Sequence, residues 1–336
     1  MVRKRSSVRF WLWAPKKNKV YKLQILIYKE CMDKFFQSFC NYLPHYKIQN
    51  NKFKKKIFYI VFSLLKFLLT GPFIIDFKKF KFFSYPQKED YSRFLLTRGT
   101  MPDEGEIKVI KENIIDANTI FIDCGANAGF YSIQIAALNK ECKIYSFEPS
   151  PIELNLFKNN IELNNLKNIY PIEIAIGHEC GTALFKENRS KARFSSGSGY
   201  IIDIELDQSN TKKVKIITID KFIEDINIDH KKKIIIKIDL EGYDINAIFG
   251  AEKTIKKYNT LILFEFSRMV IKNKIYNIER FNNFLTNCNI KITDINYNEL
   301  TIGGLHTRIS QLDKYHDTCG NYLLIDKNNE KIKRIN

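Results

Sequence analysis

The cysteines of this 336-residue chain predict neither a disulfide framework nor a zinc site. Its cysteines form no C-x-x-C pair and no Cys/His cluster. A scattered, odd-numbered set fits a reducing cytoplasm and argues against both kinds of crosslink. We therefore assign no metal ligands, and metal dependence stays open. The seven cysteines stand at positions 31, 40, 124, 142, 180, 288 and 319.

The sequence also lacks a convincing signal peptide and an uninterrupted membrane span. The apolar stretch at residues 10–15 is too short for a signal. Residues 57–75 are apolar, but Lys66 lies in the middle and Pro72 should end a helix near Thr70. A helix ending there is about 21 Å long, against a hydrocarbon core of about 30 Å. We therefore expect an interfacial or buried helix, while a single span at residues 57–75 stays open.

Acidic residues are scarce in the first hundred positions. Residues 1–100 hold 22 Lys and Arg against 5 Asp and Glu, whereas residues 101–336 hold 32 of each sign. This asymmetry predicts a basic, partly apolar and mainly helical N-terminal appendage ahead of a neutral globular domain. The predicted boundary lies near residue 100.

Two main interpretations of the appendage remain open. Lysines alternate with phenylalanines at residues 77–83, and residues 20–40 show an amphipathic pattern. Basic residues interleaved with aromatics suit an anionic membrane surface, so residues 1–83 are a candidate membrane-binding region. The same pattern also suits RNA. Alternatively, the appendage packs on the main domain as a helical subdomain and its lysines are simply solvated.

No G-x-G-x-x-G dinucleotide fingerprint occurs, but a related turn does. Residues 119–124 form an apolar, β-prone run that leads into the turn GANAG at residues 125–129 and then into an apolar-periodic helix. A strand, a glycine turn and a helix N-terminus make a site for a nucleotide-like ligand. Because Asn127 occupies the middle of the turn, S-adenosylmethionine (SAM), which has no phosphate, fits better than a pyrophosphate. The alternative is an ordinary strand–helix turn that happens to contain glycine.

A carboxylate follows at the distance that such a site requires. Residues 143–147 are typical of a second strand, and Glu148 comes directly after it, 25 residues beyond Asp123. One strand–helix–strand step separates the two acids, so both are expected at the carboxyl ends of neighbouring strands. A carboxylate at Glu148 can accept hydrogen bonds from both hydroxyls of a ribose.

The rest of the main domain alternates strands and helices, as a doubly wound α/β sheet does. Asp220 is expected to cap a short helix, and residues 177–214 to be irregular, with a hairpin or mobile loop at residues 195–199. Residues 290–295 and 321–326 are expected to form a final antiparallel pair. The other predicted strands are 119–124, 143–147, 168–176, 233–239 and 260–266, and the predicted helices are 130–138, 151–164, 243–257 and 275–285.

A second chemical cluster is the run KIDLEGYD at residues 237–244. Strand alternation places Lys237 and Asp239 on one face, at a strand end where open α/β sheets bind ligands. Acids there cost desolvation energy unless they are paired or liganded, which favours a functional site. The alternative is a Lys237–Asp239 salt bridge with helix capping by Glu241 and Asp244. The acids expected at strand ends are Asp123, Glu148, Asp239, Glu241 and Glu265.

Together, these segments resemble the FkbM family of SAM-dependent methyltransferases over roughly residues 104–327. The resemblance implies a class I methyltransferase (Rossmann-like) fold and methyl transfer from SAM to a hydroxyl oxygen. The family's usual turn has valine where this chain has Cys124. The matching segments, in the family's order, are DCGANAG at 123–129, FEP at 147–149, TID at 218–220, KIDLEG at 237–242 and FE at 264–265.

The resemblance also implies roles for individual residues. Glu148 would hold the ribose of SAM, and Ala175 and Ile176 would flank its adenine. Asp239 would be the general base that accepts the hydroxyl proton, and Lys237 would orient this base or the substrate. The methionine part of SAM would be held by Asp123, Gly125, Asn127 and Gly129.

The resemblance points to sugars or other small hydroxylated acceptors, whose hydroxyls Glu241 would bind. An enzyme of the bacterial cytoplasm, peripheral on the inner membrane, would meet lipid-linked glycans of a surface polysaccharide there.

Two rival functions stay open. A nucleic-acid methyltransferase would explain the basic appendage, but amino-directed base methyltransferases carry Asp/Asn-Pro-Pro-Tyr/Phe where this chain has DLEG. The other rival is a membrane-associated protein that binds SAM without catalysis.

Overall fold

The computed structural model describes residue 34 and residues 72–84, 103–114, 117–186, 199–202, 211–267, 270–271, 277–311 and 319–328. The strands are β1 (Phe73–Asp76), β2 (Lys81–Ser84), β3 (Thr119–Cys124), β4 (Lys143–Phe147), β5 (Ile169–Ile172), β6 (Ala175–Ile176), β7 (Gly181–Lys186), β8 (Tyr200–Ile202), β9 (Thr211–Ile217), β10 (Lys233–Ile238), β11 (Asn259–Ser267), β12 (Ile290–Asp294), β13 (Glu299–Leu300) and β14 (Cys319–Asp326). The helices are α1 (Glu104–Asn113), α2 (Phe130–Leu138), α3 (Pro151–Leu163), α4 (Ile219–Asp225), α5 (Asp244–Phe249), α6 (Glu252–Lys257), α7 (Ile278–Asn287) and α8 (Ile302–Gln311).

Eight strands form the main sheet, in the order β13-β12-β14-β11-β10-β3-β4-β5. The strands from β11 to β5 are parallel. Strand β14 pairs antiparallel with both β11 and β12, which confirms the expected final antiparallel pair. The chain runs from β3 towards β5 on one side and from β10 towards β11 on the other, so the strand order reverses between β3 and β10. At such a switch point, open α/β sheets bind ligands beyond the carboxyl ends of their strands.

Strand β10 illustrates why this sheet is buried. Its sequence KIIIKI is apolar on both faces, which is typical of a parallel strand covered on both sides. Ile235 packs into one apolar cluster, while Ile234 and Ile236 belong to a second cluster. All three are fully buried. Because alternate residues of a strand point to opposite faces, two hydrophobic layers enclose the sheet and fix the positions of its strand ends.

A second sheet, in the order β6-β9-β7-β8, lies in the stretch that was expected to be irregular. The prediction of one strand at residues 168–176 is wrong, because β5 belongs to the main sheet and β6 pairs with β9. The chain turns between them, where the Ile174 N–H donates to the Ile172 carbonyl oxygen at 3.0 Å. Residues 187–198 and 203–210, which include most of the predicted loop, lie outside the described residues.

The predicted helix 243–257 is two helices, α5 and α6, and Asp220 does not cap the helix in which it lies. Thr218 caps α4, because its Oγ1 accepts a backbone N–H three residues further on at 3.0 Å. The Asp220 carboxylate instead accepts the N–H groups of Lys253 and Thr254, at 2.9 and 2.7 Å. These bonds satisfy N–H groups in the first turn of α6, which favours a new helix start after α5.

The lysine- and phenylalanine-rich segment of the appendage forms the hairpin of β1 and β2. Phe82 is fully buried and stacks on Phe130 of α2, with ring centroids 4.6 Å apart. Phe77 and Phe80 pack against the same core. The two lysines at the hairpin turn are exposed. The rings of this segment therefore contribute to the core, and only its lysines remain available to a membrane surface.

Much of the N-terminal prediction lies outside the described residues. This applies to residues 20–40, apart from Lys34, and to residues 57–71. The end of the apolar run, from Phe73 onward, forms β1. In the part of the chain that the structure describes, no helix has the length and apolar character that crossing a membrane requires. The domain boundary near residue 100 stays a prediction.

Candidate active site

The turn between β3 and α2 brings two strand ends into contact. Gly125 has a φ of 83°, and a Cβ on it would overlap the carbonyl oxygen of Asp239. The Asp239 N–H donates to the Cys124 carbonyl oxygen at 3.1 Å. Both the backbone conformation and the closeness of the chain after β10 therefore require glycine at position 125. The contact places the predicted cofactor turn beside the predicted base.

Glu148, the first residue after β4, holds this turn through its carboxylate. Its Oε2 accepts the Asn127 N–H at 2.9 Å, and its Oε1 accepts the Ser150 N–H at 2.8 Å. Burial raises the pKa of Glu148 to about 7, although these two bonds oppose the rise. Each oxygen of an ionised carboxylate can accept a further hydrogen bond. Glu148 can therefore organise the turn and still bind the hydroxyls of a ligand.

One cavity at the carboxyl end of the main sheet brings most of the predicted site residues together. Its walls come from the turn after β3, the segments after β4 and β10, and the second sheet. Two predicted residues, Asp123 and Gly129, lie outside this lining. The predicted residues that line the cavity are Gly125, Asn127, Glu148, Ala175, Ile176, Lys237, Asp239 and Glu241.

Gly129 serves the packing of the turn. It precedes α2 with a φ of 89°. A Cβ at this position would overlap the ring of Phe157 in α3. Glycine is therefore needed so that the turn can lie directly on this helix.

Asp123 is fully buried and faces other protein groups instead of the cavity. Its Oδ2 accepts the Ser132 hydroxyl at 2.6 Å, and its Oδ1 lies 3.9 Å from Lys237 Nζ. Among the described residues, Oδ1 has no hydrogen-bond partner. The nearest cation to this oxygen is Lys237. Burial raises the pKa of Asp123, and the ion pair with Lys237 offsets this rise in part. Asp123 therefore contacts the predicted catalytic residue Lys237 on the side away from the cavity.

Lys237 lies between the buried Asp123 and the cavity residue Asp239. Its Nζ donates to Asp239 Oδ2 at 2.9 Å and lies over the Tyr131 ring, 4.6 Å from the centroid. Burial disfavours the charge, but the carboxylates of Asp239 and Asp123 outweigh burial and raise the pKa of Lys237 above its ordinary value. The ammonium therefore stays charged. The Asp239 side chain is 35% exposed, so a substrate can reach it.

The sequence did not identify several residues of the cavity wall. The Tyr131 hydroxyl donates to Asp103 Oδ2 at 2.9 Å, and both residues line the cavity. Burial raises the pKa of Asp103, and the bond from Tyr131 opposes this rise. The one available signal was an aspartate just before a periodic helix, which normally indicates an N-cap, yet Asp103 makes no such bond to α1. The second sheet adds Phe185, Gly199, Tyr200 and Ile201.

Two further acids, Asp244 and Glu265, lie near Asp239. Asp244 accepts the N–H groups of Leu240 and Gly242, each at 3.0 Å, and so fixes the turn after β10. Burial and the nearby Asp239 raise the pKa of Asp244 to about 8. Burial and the same neighbour raise the pKa of Glu265 to about 10. In the described ranges, no three His, Cys, Asp or Glu side chains are grouped so that they could hold a metal ion.

Comparison with known proteins identifies the family of the chain. The family model for the methyltransferase FkbM domain matches residues 123–292, about half of the chain. The chain belongs to the FkbM methyltransferase family. It has an α/β class I methyltransferase-like fold, with the candidate site at the switch point of the sheet.

Individual relatives of this FkbM domain are distant. Methyltransferase 1 of Beauveria bassiana is 19% identical over 148 residues, which are 40% of this chain and 59% of the relative. The chain thus matches less than two thirds of that protein's length. The methyltransferase FkbM from Methylobacillus flagellatus KT is 16% identical, with a TM-score of 0.38, over 63% of this chain and 44% of that one. M. jannaschii TYW2, solved in complex with AdoMet, is 16% identical, with a TM-score of 0.33, over 75% of this chain and 83% of the other.

The crowding at Gly125 predicts a large effect of one added methyl group. We expect Gly125→Ala to lower the free energy of unfolding by about 2 kcal/mol or more, because it combines an unfavourable φ with a backbone overlap. Gly303 is a matched control, since it lies in α8 with open space around a Cβ. Gly303→Ala should raise stability by about 0.5–1 kcal/mol. Urea unfolding measures both variants, and equal stability of the two would contradict the close contact at position 125.

Proposed function

We propose that this FkbM-family protein is a SAM-dependent methyltransferase that methylates a hydroxyl oxygen. One observation carries the proposal. Two carboxylates, that of Glu148 and the lysine-held one of Asp239, line the same cavity beside a glycine turn. The first suits the ribose of SAM and the second suits proton removal from an acceptor.

The cavity residues fit the parts of SAM. The turn lines the cavity at Gly125 and Asn127, so a ligand's amino-acid tail can meet its backbone there. Glu148 accepts the ribose hydroxyls, and Ala175 and Ile176 offer small, buried, apolar surfaces to the adenine. Asp123 and Gly129 contribute indirectly, since the first pairs with Lys237 and the second allows the turn to pack.

SAM supplies a methyl group on a positively charged sulfur. Asp239 accepts the proton of the acceptor hydroxyl as the oxygen bonds to the methyl carbon and the carbon–sulfur bond breaks. The products are a methyl ether, a neutral sulfide and a protonated Asp239. Lys237 fixes the carboxylate through Oδ2 at 2.9 Å, so much of the protein's contribution is alignment of the reacting atoms.

The acceptor is a sugar hydroxyl of a surface polysaccharide or glycolipid. Carboxylates line the cavity beside aromatic rings such as Phe185 and Tyr200. Carboxylates accept hydrogen bonds from hydroxyls, whereas they repel the phosphates of a nucleic acid. This charge favours a glycan over the nucleic-acid alternative. The carboxylates of the lining are Asp103, Glu148, Glu153, Asp239 and Glu241.

The first test of the cofactor is binding of S-adenosylhomocysteine (SAH) to the full-length chain by calorimetry. Ribose hydroxyls bind the ionised form of Glu148, so binding lowers its pKa from about 7. Affinity should therefore rise with pH by up to about tenfold per unit below pH 7 and level off above it. In Glu148→Gln, the binding should be weaker and this component of the pH dependence should be absent. Failure of the wild-type chain to bind SAH would overturn the cofactor assignment.

A second test separates binding from catalysis. We expect Asp239→Asn to lower methyl transfer about 10²- to 10⁴-fold while the dissociation constant of SAH stays within a few-fold. Radiolabelled SAM with a panel of sugars, sugar nucleotides and lipid-linked glycans measures the transfer. Asp225→Asn is the control, because this acid is exposed and does not line the cavity. SAH binding without transfer to any glycan would favour the non-catalytic alternative.

The membrane part of the proposal rests on the charge of residues 1–100. We expect the full-length protein to float with vesicles containing anionic lipid at low salt, and to be released at high salt. Vesicles of neutral lipid are the control. If the protein ignores anionic vesicles that a known peripheral protein binds, the membrane assignment fails and the methyltransferase assignment is unaffected.

A further inference from the structure

Asn160 of α3 connects the N-terminal hairpin to the glycine turn. Its Oδ1 accepts the Phe83 N–H of β2 at 2.9 Å, and its Nδ2 donates to the Ala128 carbonyl oxygen at 3.0 Å. Ala128 lies in the turn, between Asn127 and Gly129. The side chain is only 2% exposed. One buried amide therefore spans two segments that lie about 45 residues apart in the sequence.

The chemistry of this link is specific to an amide. Asn160 uses its acceptor towards the hairpin and its donor towards the turn, and both bonds agree on the orientation of the amide. An aspartate would keep the acceptor but place an oxygen against the Ala128 carbonyl. Because buried polar groups need partners, such a change acts on the turn and spares the hairpin bond.

Apolar contacts also join α3 and the hairpin to the glycine turn and to the start of α2. Phe157 lies on the same face of α3 as Asn160, three residues earlier, and its ring packs under Gly129. Phe82 of the hairpin stacks on Phe130, which begins α2 and lines the cavity. The turn thus rests on α3 at one end and meets the hairpin through Phe130 at the other.

We propose that the hairpin of residues 73–84 supports the cofactor turn from outside the cavity, with Asn160 as the positioning residue that transmits its docking to the turn. The inference rests on the proposed function, since it takes the turn as the SAM-binding element. It follows that ligand binding at the turn and docking of the hairpin stabilise each other, because linkage between two sites is reciprocal.

The chain offers a second probe of the hairpin in Asn164, the C-cap residue of α3. Its Oδ1 accepts the Lys81 N–H at 2.6 Å, and its Nδ2 donates to the carbonyl oxygens of Lys81 and Asn160, each at 2.7 Å. Asn164 therefore ties the same hairpin to the end of the same helix, and none of these bonds goes to the turn. Asn164→Ala removes hairpin contacts, whereas Asn160→Asp disturbs the turn.

The experiment measures the dissociation constant of SAH for the full-length variants, at a temperature where each remains folded. We expect Asn160→Asp to weaken SAH binding about tenfold, and Asn164→Ala to weaken it by a smaller factor of about three, because Asn164→Ala loosens the hairpin but leaves the bond from Asn160 to the turn in place. A purely structural role of Asn160 would lower its unfolding temperature and leave the dissociation constant unchanged, which would overturn the inference. No SAH binding by the wild-type chain would instead overturn the proposed function, and this inference with it.

Hydrogen exchange on the wild-type protein tests the coupling without a substitution, should Asn160→Asp fail to fold. Saturating SAH should slow exchange in the turn and also at the Phe83 amide, whose acceptor is Asn160. Protection of the turn alone, with unchanged exchange at Phe83, would mean that the hairpin is independent of the site.

Discussion

The site depends on one buried ammonium group, that of Lys237. A lysine almost removed from water needs compensating negative charge, and this chain supplies it from two directions. Asp123 lies near the end of β3, and Asp239 directly follows β10. The ion pairs of these acids with Lys237 therefore join the two strands between which the strand order of the sheet reverses. Electrostatic compensation therefore holds together the two strand ends at the switch point, the place where open α/β sheets bind their ligands.

This constraint separates the strand-end acids into two groups. Asp123 and Asp244 are fully enclosed and satisfy protein groups, the first as partner of Lys237 and the second as acceptor for the turn after β10. Glu148 and Asp239 also bind protein groups, but each faces the cavity. A carboxylate that accepts hydrogen bonds from a turn can also bind a ligand only if the protein leaves part of its acceptor capacity unused. That division is visible only once the bonds of each oxygen are known.

Local sequence predicted the parts of the site that short-range physics determines. The apolar runs of β3 and β10, the glycine turn and the acids after each strand all follow from periodicity and turn chemistry within a few residues. The second sheet could not be predicted in this way, because β6 is only two residues long and is a strand only through its pairing with β9. The break between α5 and α6 also depends on a distant group, the Asp220 carboxylate. Asp103 could not be identified from local sequence, because the partner of its side chain, Tyr131, lies 28 residues away.

The appendage shows why composition alone left two interpretations. A lysine–phenylalanine alternation is compatible with a membrane surface and with packing on a core, and the two differ only in what covers the rings. In the hairpin, the rings of Phe77, Phe80 and Phe82 pack against the core while the lysines of the turn stay in solvent. Packing explains the apolar half of the pattern. The three exposed lysines of the hairpin, Lys78, Lys79 and Lys81, are carried by an element that is fixed to the domain through α3, the same helix that supports the glycine turn.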